Sequence, residues 1–303
     1  MKLIKPSVEY IPQDNSVDGM YRHIERCGRI CYKSEDKISE YSHNDFVGRM
    51  IKSGHTAMLE HGTVYLFYSG CCYDHEDMAF ASKYESNPYT KGGFIGTDDN
   101  EISSDGKFYD IMGNPATGNM QFCFTTNFRV LVENRWLEDF KYICEPTEHH
   151  KRRYTMKFIT DIGVCRELLR HRVFSFANES TRYCNYSKDK FDNEVTFVVP
   201  CWYTHGNGSN DRECSMDSEF ENCCRDSEQS YLRMIQWGAK PQEARQILPL
   251  ATKTELIMTG FEDDWRHFFD LRLRGTTGKP HPDMLVVAEL AWNEFKDKLN
   301  LEL

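Results

Sequence analysis

Apolar positions recur along the chain at two spacings, and each spacing predicts a kind of element. Residues 15–54 read as helical, with Tyr21, Ile24, Cys27, Ile30 and Cys31 near the three-to-four spacing of one buried face. A second helix is predicted from about Asn44 to Ser53, where Gly54 is placed to cap it. "TVYLFYSG" (63–70) is aromatic and β-branched, hence strand-like. Residues 86–121, rich in Gly, Asn, Asp and Ser, read as a long loop or insertion. "FCFTTNFRVLVEN" (122–134) predicts a strand running into a helix, and "YTMKFIT" (154–160) another strand. "DIGVCRELLRH" (161–171) predicts a short helix with Asp161 as N-cap, whose end delivers the next residues into a loop. "EVTFVVP" (194–200) reads as a strand ended by Pro200, and 205–216 as a polar break. Helices are then expected over 217–238, over 241–259 with an interruption at Pro249, and over 282–299. Strands and helices interleave without a repeated βαβ period. The predicted fold class is therefore α+β, a mixed central sheet packed with helices.

Composition narrows what such a fold can bind. A chain of 303 residues can bury a sizeable core. Its formal charge of -10 argues against general nucleic-acid or anionic-membrane binding, so any anion must be met by a local cluster. No run approaches the roughly 20 apolar residues of a membrane span. "MKLIKPSVEYIPQDNS" lacks the apolar core of a signal peptide, and a cytoplasmic location is expected. The 12 cysteines include two adjacent pairs, Cys71–Cys72 and Cys223–Cys224, but no C-x-x-C pair, and reduced thiols are expected. His149 and His150 in "TEHHKRRY" read as a solvated turn, and no metal is expected.

Against that acidic background "RHRVFSFANESTRY" (170–183) stands out, gathering Arg170, His171, Arg172 and Arg182 around Ser175, Asn178, Glu179 and Ser180. Arginine grips phosphate or carboxylate with a planar fork. At a helix end turning into a loop, Arg170 and Arg172 can bracket two ligands. Ser180, Arg182 and the backbone N–H groups between them form a second anion cradle. A solvated cationic loop paired with surface acids is the competing reading. Downstream, Arg245 precedes an apolar run, and Arg272 in "FFDLRLRG" is too surrounded by Phe268, Phe269 and Leu271 to be merely solvated. In "SGHTAMLEHG" (53–62), His55 and His61 flank Glu60, although lone histidines are more often structural.

Together these residues resemble the flavin-dependent thymidylate synthase family (ThyX). The signature is Arg170-His171-Arg172, then "VFSFANE", then Ser180, Thr181 and Arg182. "LEHG" (59–62), "EARQILP" (243–249), "FFDLR" (268–272) and His281-Pro282 add to it. The resemblance covers roughly 20–70 and 150–298 and implies one domain over 1–303, with the stretch at about 70–120 as an insertion. It implies conversion of dUMP to dTMP, with a methylene from methylenetetrahydrofolate, FADH2 as reductant and NADPH to restore it. A homotetramer with shared active sites is also implied.

The resemblance further implies roles. Arg272 would stabilise the uracil anion at N3, a preorganised charge acting on developing charge, with His55 as its catalytic companion beside the flavin. Nucleotide contacts would come from Glu167, Arg170, Asn178, Glu179, Ser180, Thr181, Arg182 and Arg245, besides Arg272. FAD would be met by His55, Ala57, Arg170, His171, Arg172, Val173, Asn178, His267 and His281. The chain departs from its relatives at three places. Asn178 occupies a common glutamate position with Glu179 displaced by one, Glu167 stands where Gln is frequent, and Phe261-Glu262-Asp263 replaces a common N-x-R. Pro200-Cys201 matches the nucleophile dipeptide of an unrelated, cysteine-dependent thymidylate synthase family. The flavin family needs no such step, so Cys201 is expected to be structural or surface. Two other functions fit the residues: a nucleotide sensor that has lost the chemistry, and a flavin- and folate-dependent uracil methyltransferase acting on RNA, which the charge disfavours.

Overall fold

The computed structural model describes residues 1–71, 74–95, 100–102, 108–110, 119–208 and 210–299. The chain divides into two compact units. One takes Met1–Ile11, Cys27–Lys37 and Tyr154–Leu303, and the other Pro12–Arg26 and Ile38–Arg153. Among the described residues no helix is long and apolar enough to cross a membrane.

The first unit is built on a four-stranded sheet. Its strands are β2 (Ser7–Tyr10), β8 (Arg153–Asp161), β9 (Ser175–Asn178) and β11 (Lys253–Phe261), in the order β2-β8-β11-β9. β2 runs antiparallel to β8, and β9 antiparallel to β11. A separate parallel pair joins β1 (Lys2–Ile4) to β10 (Thr196–Val198). Three helices cover the sheet: α5 (Ile162–Leu168), α8 (Glu262–Arg272) and α9 (Pro282–Leu299). Met156, Phe158, Leu168, Met258, Trp265, Phe268 and Phe295 form the core among them. Asp161 caps α5 as expected, its Oδ1 accepting from Val164 N at 2.8 Å. A second core around Phe197, Cys224 and Tyr231 lies against α6 (Asp211–Gln236). This helix starts inside the expected polar break, because Asn210 caps it by accepting from Glu213 N at 3.1 Å.

Part of the expected pattern is overturned. The helix predicted over 241–259 is only α7 (Pro241–Ala244) and a 3-10 turn at Arg245–Ile247; the next element is β11, between β8 and β9. Every residue of β11 after Lys253 is buried, so the strand shows no alternation to betray it. Thr254, Ile257 and Thr259 are β-branched and favour the extended form. Likewise "SFAN" inside the signature is a strand rather than a loop, pairing Ser175–Asn178 with Leu256–Thr259.

In the second unit, β3 (Thr63–Cys71), β7 (Asn119–Asn127) and β4 (Lys91–Phe94) form an antiparallel sheet, ordered β3-β7-β4. Gly92 has φ +133, and a Cβ there would sit 2.0 Å from the Cys123 carbonyl oxygen, so the strand pairing requires glycine. α2 (Ser42–Ser53) ends at Gly54 in the left-handed region, as its sequence predicts. α3 (His75–Glu85) and α4 (Phe128–Glu133) pack on a core containing Leu66, Phe80, Tyr84, Phe124 and Phe128. The remaining helix, α1 (Val17–Ile30), carries the chain from this unit to the first. The stretch expected as a long loop contains β4, the pair β5 (Asn100–Ile102) and β6 (Phe108–Asp110), and the start of β7. Residues 96–99, 103–107 and 111–118 of it lie outside the described residues.

Candidate active site

Two helix ends in the first unit bring the principal side chains together. Trp265, Phe268 and Phe269 bury one face of α8, and Arg272, four residues after Phe268, emerges at the end of that face. Glu167 sits at the end of α5, where the chain turns through Arg170 and His171, whose N–H groups donate to the carbonyls of Glu167 and Leu168. Arg272 links the two ends. Its Nη1 lies 2.9 Å from Glu167 Oε2, and its Nε donates to His171 Nε2 at 3.0 Å. The His171 ring stands edge-on to Phe268 at 5.1 Å.

A guanidinium can only donate, so His171 Nε2 must accept, which leaves the proton on Nδ1 of a neutral imidazole. The environment agrees. Burial, then the charges of Arg272, His267 and Arg170, push His171 down to about 4. These groups face an open cleft of about 1060 Å³, walled also by Arg170, Arg172, Val173, His267, Lys279 and His281. Arg170 and Arg172 are exposed and line the cleft. His281 is turned by its own backbone, Nδ1 accepting from Asp283 N at 3.3 Å.

The Ser180–Arg182 end forms a second cluster, and Arg245 joins it. Arg245 Nη1 donates to Thr181 Oγ1 at 2.9 Å, and Arg182 Nε to Gln242 Oε1 at 3.1 Å. Ser180 N is engaged by the Cys31 carbonyl at 2.9 Å. The two residues before Ser180 turn inward. Asn178 places Nδ2 2.8 Å from Cys165 Sγ and accepts from Thr254 Oγ1 at 3.2 Å. Glu179 is buried and paired with Lys253 at 2.8 Å. His55 and Ala57 belong to the other unit, both exposed, His55 at the start of a 3-10 turn.

Sequence reasoning missed Lys279 in the cleft wall and the charged pair Lys253 and Glu255. With β11 read as a strand, their i, i+2 spacing would have put both on one face. Cys201 is exposed, and burial of its sulfur together with Asp283 raises its pKa, the reverse of an activated nucleophile. In place of N-x-R, the start of α8 has Asp264 capping Phe261 N at 3.2 Å and Glu262 paired with Arg266 at 2.9 Å.

A family model described as "Thymidylate synthase complementing protein" matches residues 143–299, just over half of the chain. The chain belongs to this family. A "Probable flavin-dependent thymidylate synthase" of Paramecium bursaria Chlorella virus 1 is 29% identical over 137 residues, covering 43% of this chain and 61% of the relative. A "Flavin-dependent thymidylate synthase" of Synechocystis sp. is 28% identical over 145 residues, 44% of this chain and 63% of its own. The one from Pyrococcus furiosus is 33% identical over 107 residues, 35% and 40% of the two chains. The chain thus spans about three-fifths or less of the length of these curated relatives. Among solved structures, the UMP/dUMP methylase PolB from Streptomyces cacaoi bound with 5-Br dUMP aligns with a TM-score of 0.45 and 16% identity, over 98% of this family member and 93% of that chain.

Proposed function

We propose that the protein is a flavin-dependent thymidylate synthase, making dTMP from dUMP with methylenetetrahydrofolate as one-carbon donor. The observation that carries this reading is the Arg272 guanidinium held at the cleft wall by Glu167 and by His171, a neutral base. An attacking uracil C5 gains nucleophilicity when charge builds at N3 and its neighbouring carbonyls, and a fixed guanidinium stabilises that charge without reorganising. His171 orients Arg272 without adding a second positive charge. Arg245, Thr181 and Arg182 suit the nucleotide phosphate, since forked donors match its oxygens.

The donor set fits FAD. Arg170, Arg172 and Lys279 offer cationic donors to a diphosphate, and Val173 and Leu271 offer apolar wall to a ring system. When bound, the reduced flavin supplies the hydride that turns the attached one-carbon unit into a methyl group, and NADPH is its reductant. His55, Ala57, His267 and His281 complete the proposed cofactor contacts. The working form is proposed to be a cytoplasmic homotetramer with shared sites.

The test is release of tritium from [5-3H]dUMP by purified protein supplied with FAD, NADPH and methylenetetrahydrofolate. Release that depends on all of them is expected. Bound flavin and dUMP with no release would instead identify a nucleotide sensor.

A further inference from the structure

Four segments of the first unit meet in a cluster of charge that the site leaves without a role. Lys253 and Glu255 stand on β11, Lys157 on β8, Glu179 just after β9, and Lys33 in the turn after α1. Lys253 Nζ reaches Glu179 Oε2 at 2.8 Å and Glu255 Oε1 at 2.5 Å. Lys157 Nζ reaches Glu255 Oε2 at 2.8 Å, and Lys33 pairs with Glu255 as well. The Glu179 side chain is fully buried, and Lys157, the most open of the others, is 21% exposed. Three ammoniums therefore share two carboxylates largely out of water, with Glu35 at the rim 3.3 Å from Lys33.

Such a cluster is a poor way to gain stability. Desolvating each ion is costly, and well-packed apolar residues often do as well. Lys33 adds strain, with φ +49 in a region that non-glycine residues rarely adopt. Burial presses its ammonium to lose the proton, but Glu255 and Glu179 outweigh that and raise its pKa. What the cluster does achieve is register. Glu179 N donates to the Glu255 carbonyl at 2.8 Å, and Ser180 N to the Cys31 carbonyl at 2.9 Å. The chain entering Ser180 is thus held on one side by β11, on the other by the turn that ends in Lys33, and the ion pairs tie those two sides to each other.

We propose that Lys33, Lys157, Lys253, Glu179 and Glu255 are positioning residues that fix the backbone of Ser180–Arg182 for an anionic ligand. The ligand assignment rests on the reading of that stretch as the phosphate site of dUMP.

Three variants test it. Lys33→Gly removes one ammonium while relieving the backbone, so it stays falsifiable if Lys253→Met fails to fold; Lys253→Arg keeps the charge. Calorimetry with dUMP and hydrogen exchange of residues 179–184 are read on each. Lys33→Gly and Lys253→Met should weaken dUMP binding roughly tenfold and speed exchange at 179–184 but not at 162–168. Their kcat at saturating dUMP should change less than about threefold, and Lys253→Arg should restore most of the affinity. Unchanged exchange at 179–184 in folded variants overturns the proposal. If the unsubstituted protein binds no dUMP, the functional reading falls; exchange at 179–184 then still decides for or against the clamp.

Discussion

Two side chains, one acidic and one neutral, choose the hydrogen bonds of Arg272. Glu167 takes one edge of the guanidinium and His171 the Nε–H, so the plane of the fork is set before any ligand arrives. Arg272→Ala should lower kcat/KM in the tritium-release assay by on the order of 10²–10³, the range for loss of one preorganised donor. Arg272→Lys should recover little of it, because an ammonium cannot serve Glu167, His171 and a substrate edge together. Cys201→Ala is the matching control and should keep turnover within about twofold, its thiol being held protonated. Loss of turnover in a folded Cys201→Ala protein would sink the cysteine-independent reading.

At the scale of elements, β11 comes close to the segment before β9. A Cβ on Gly260 would lie 2.4 Å from Phe174 Cδ1, and Phe174 is itself packed edge-on against Trp265 at 4.7 Å. Gly260→Ala should therefore destabilise the protein by about 1–3 kcal/mol through overpacking, read as a lower urea midpoint with the slope unchanged. An unaltered midpoint would mean that Phe174 has room to move. This region also marks where sequence reading stopped. Helices with one wet face and a visible cap, such as α2 with Gly54 and α5 with Asp161, were legible, as was β3. β11 was not, because a strand buried on both faces loses its period. α8 went unread as a helix, though it carries Arg272. The arginines of the site were legible from their clustering in an acidic chain, whereas Lys279, isolated in the sequence, was not. The inward turn of Asn178 and Glu179 was not, because it depends on the strand register of β9 against β11.

For the whole molecule, the groups that titrate out of range set the response to acid. His171 at about 4 and the buried His23 at about 3 both stay neutral in the folded chain below the ordinary histidine value of 6.5. Between those values the unfolded chain binds more protons, so stability falls as pH drops from 6.5 toward 4. Glu255, where Lys253 and Lys33 overcome burial and hold the carboxyl at about 2, adds a second loss as pH falls from 4.5. Asp161, raised by burial, acts in the opposite sense. The thermal midpoint should be level from pH 7 to 8 and decline below 6.5, and His171→Gln should flatten the upper part of that decline. An equal decline in His171→Gln would show that His171 takes no part in it.

The order of strands also has a consequence during synthesis. β11 closes the sheet between β8 and β9, yet it leaves the ribosome some ninety residues after Asp161 ends β8. At roughly 5–20 residues per second, β8 waits on the order of 5–20 s for its neighbour. The strands of the second unit, all encoded before Tyr154, need not wait. During that interval β8 has a bare edge, the kind of surface that recruits other chains. Lys157 on that strand has by then no Glu255 to meet, and a charge on an open strand discourages such pairing. The residue that ends as part of an ion cluster would first act as a guard on the nascent chain.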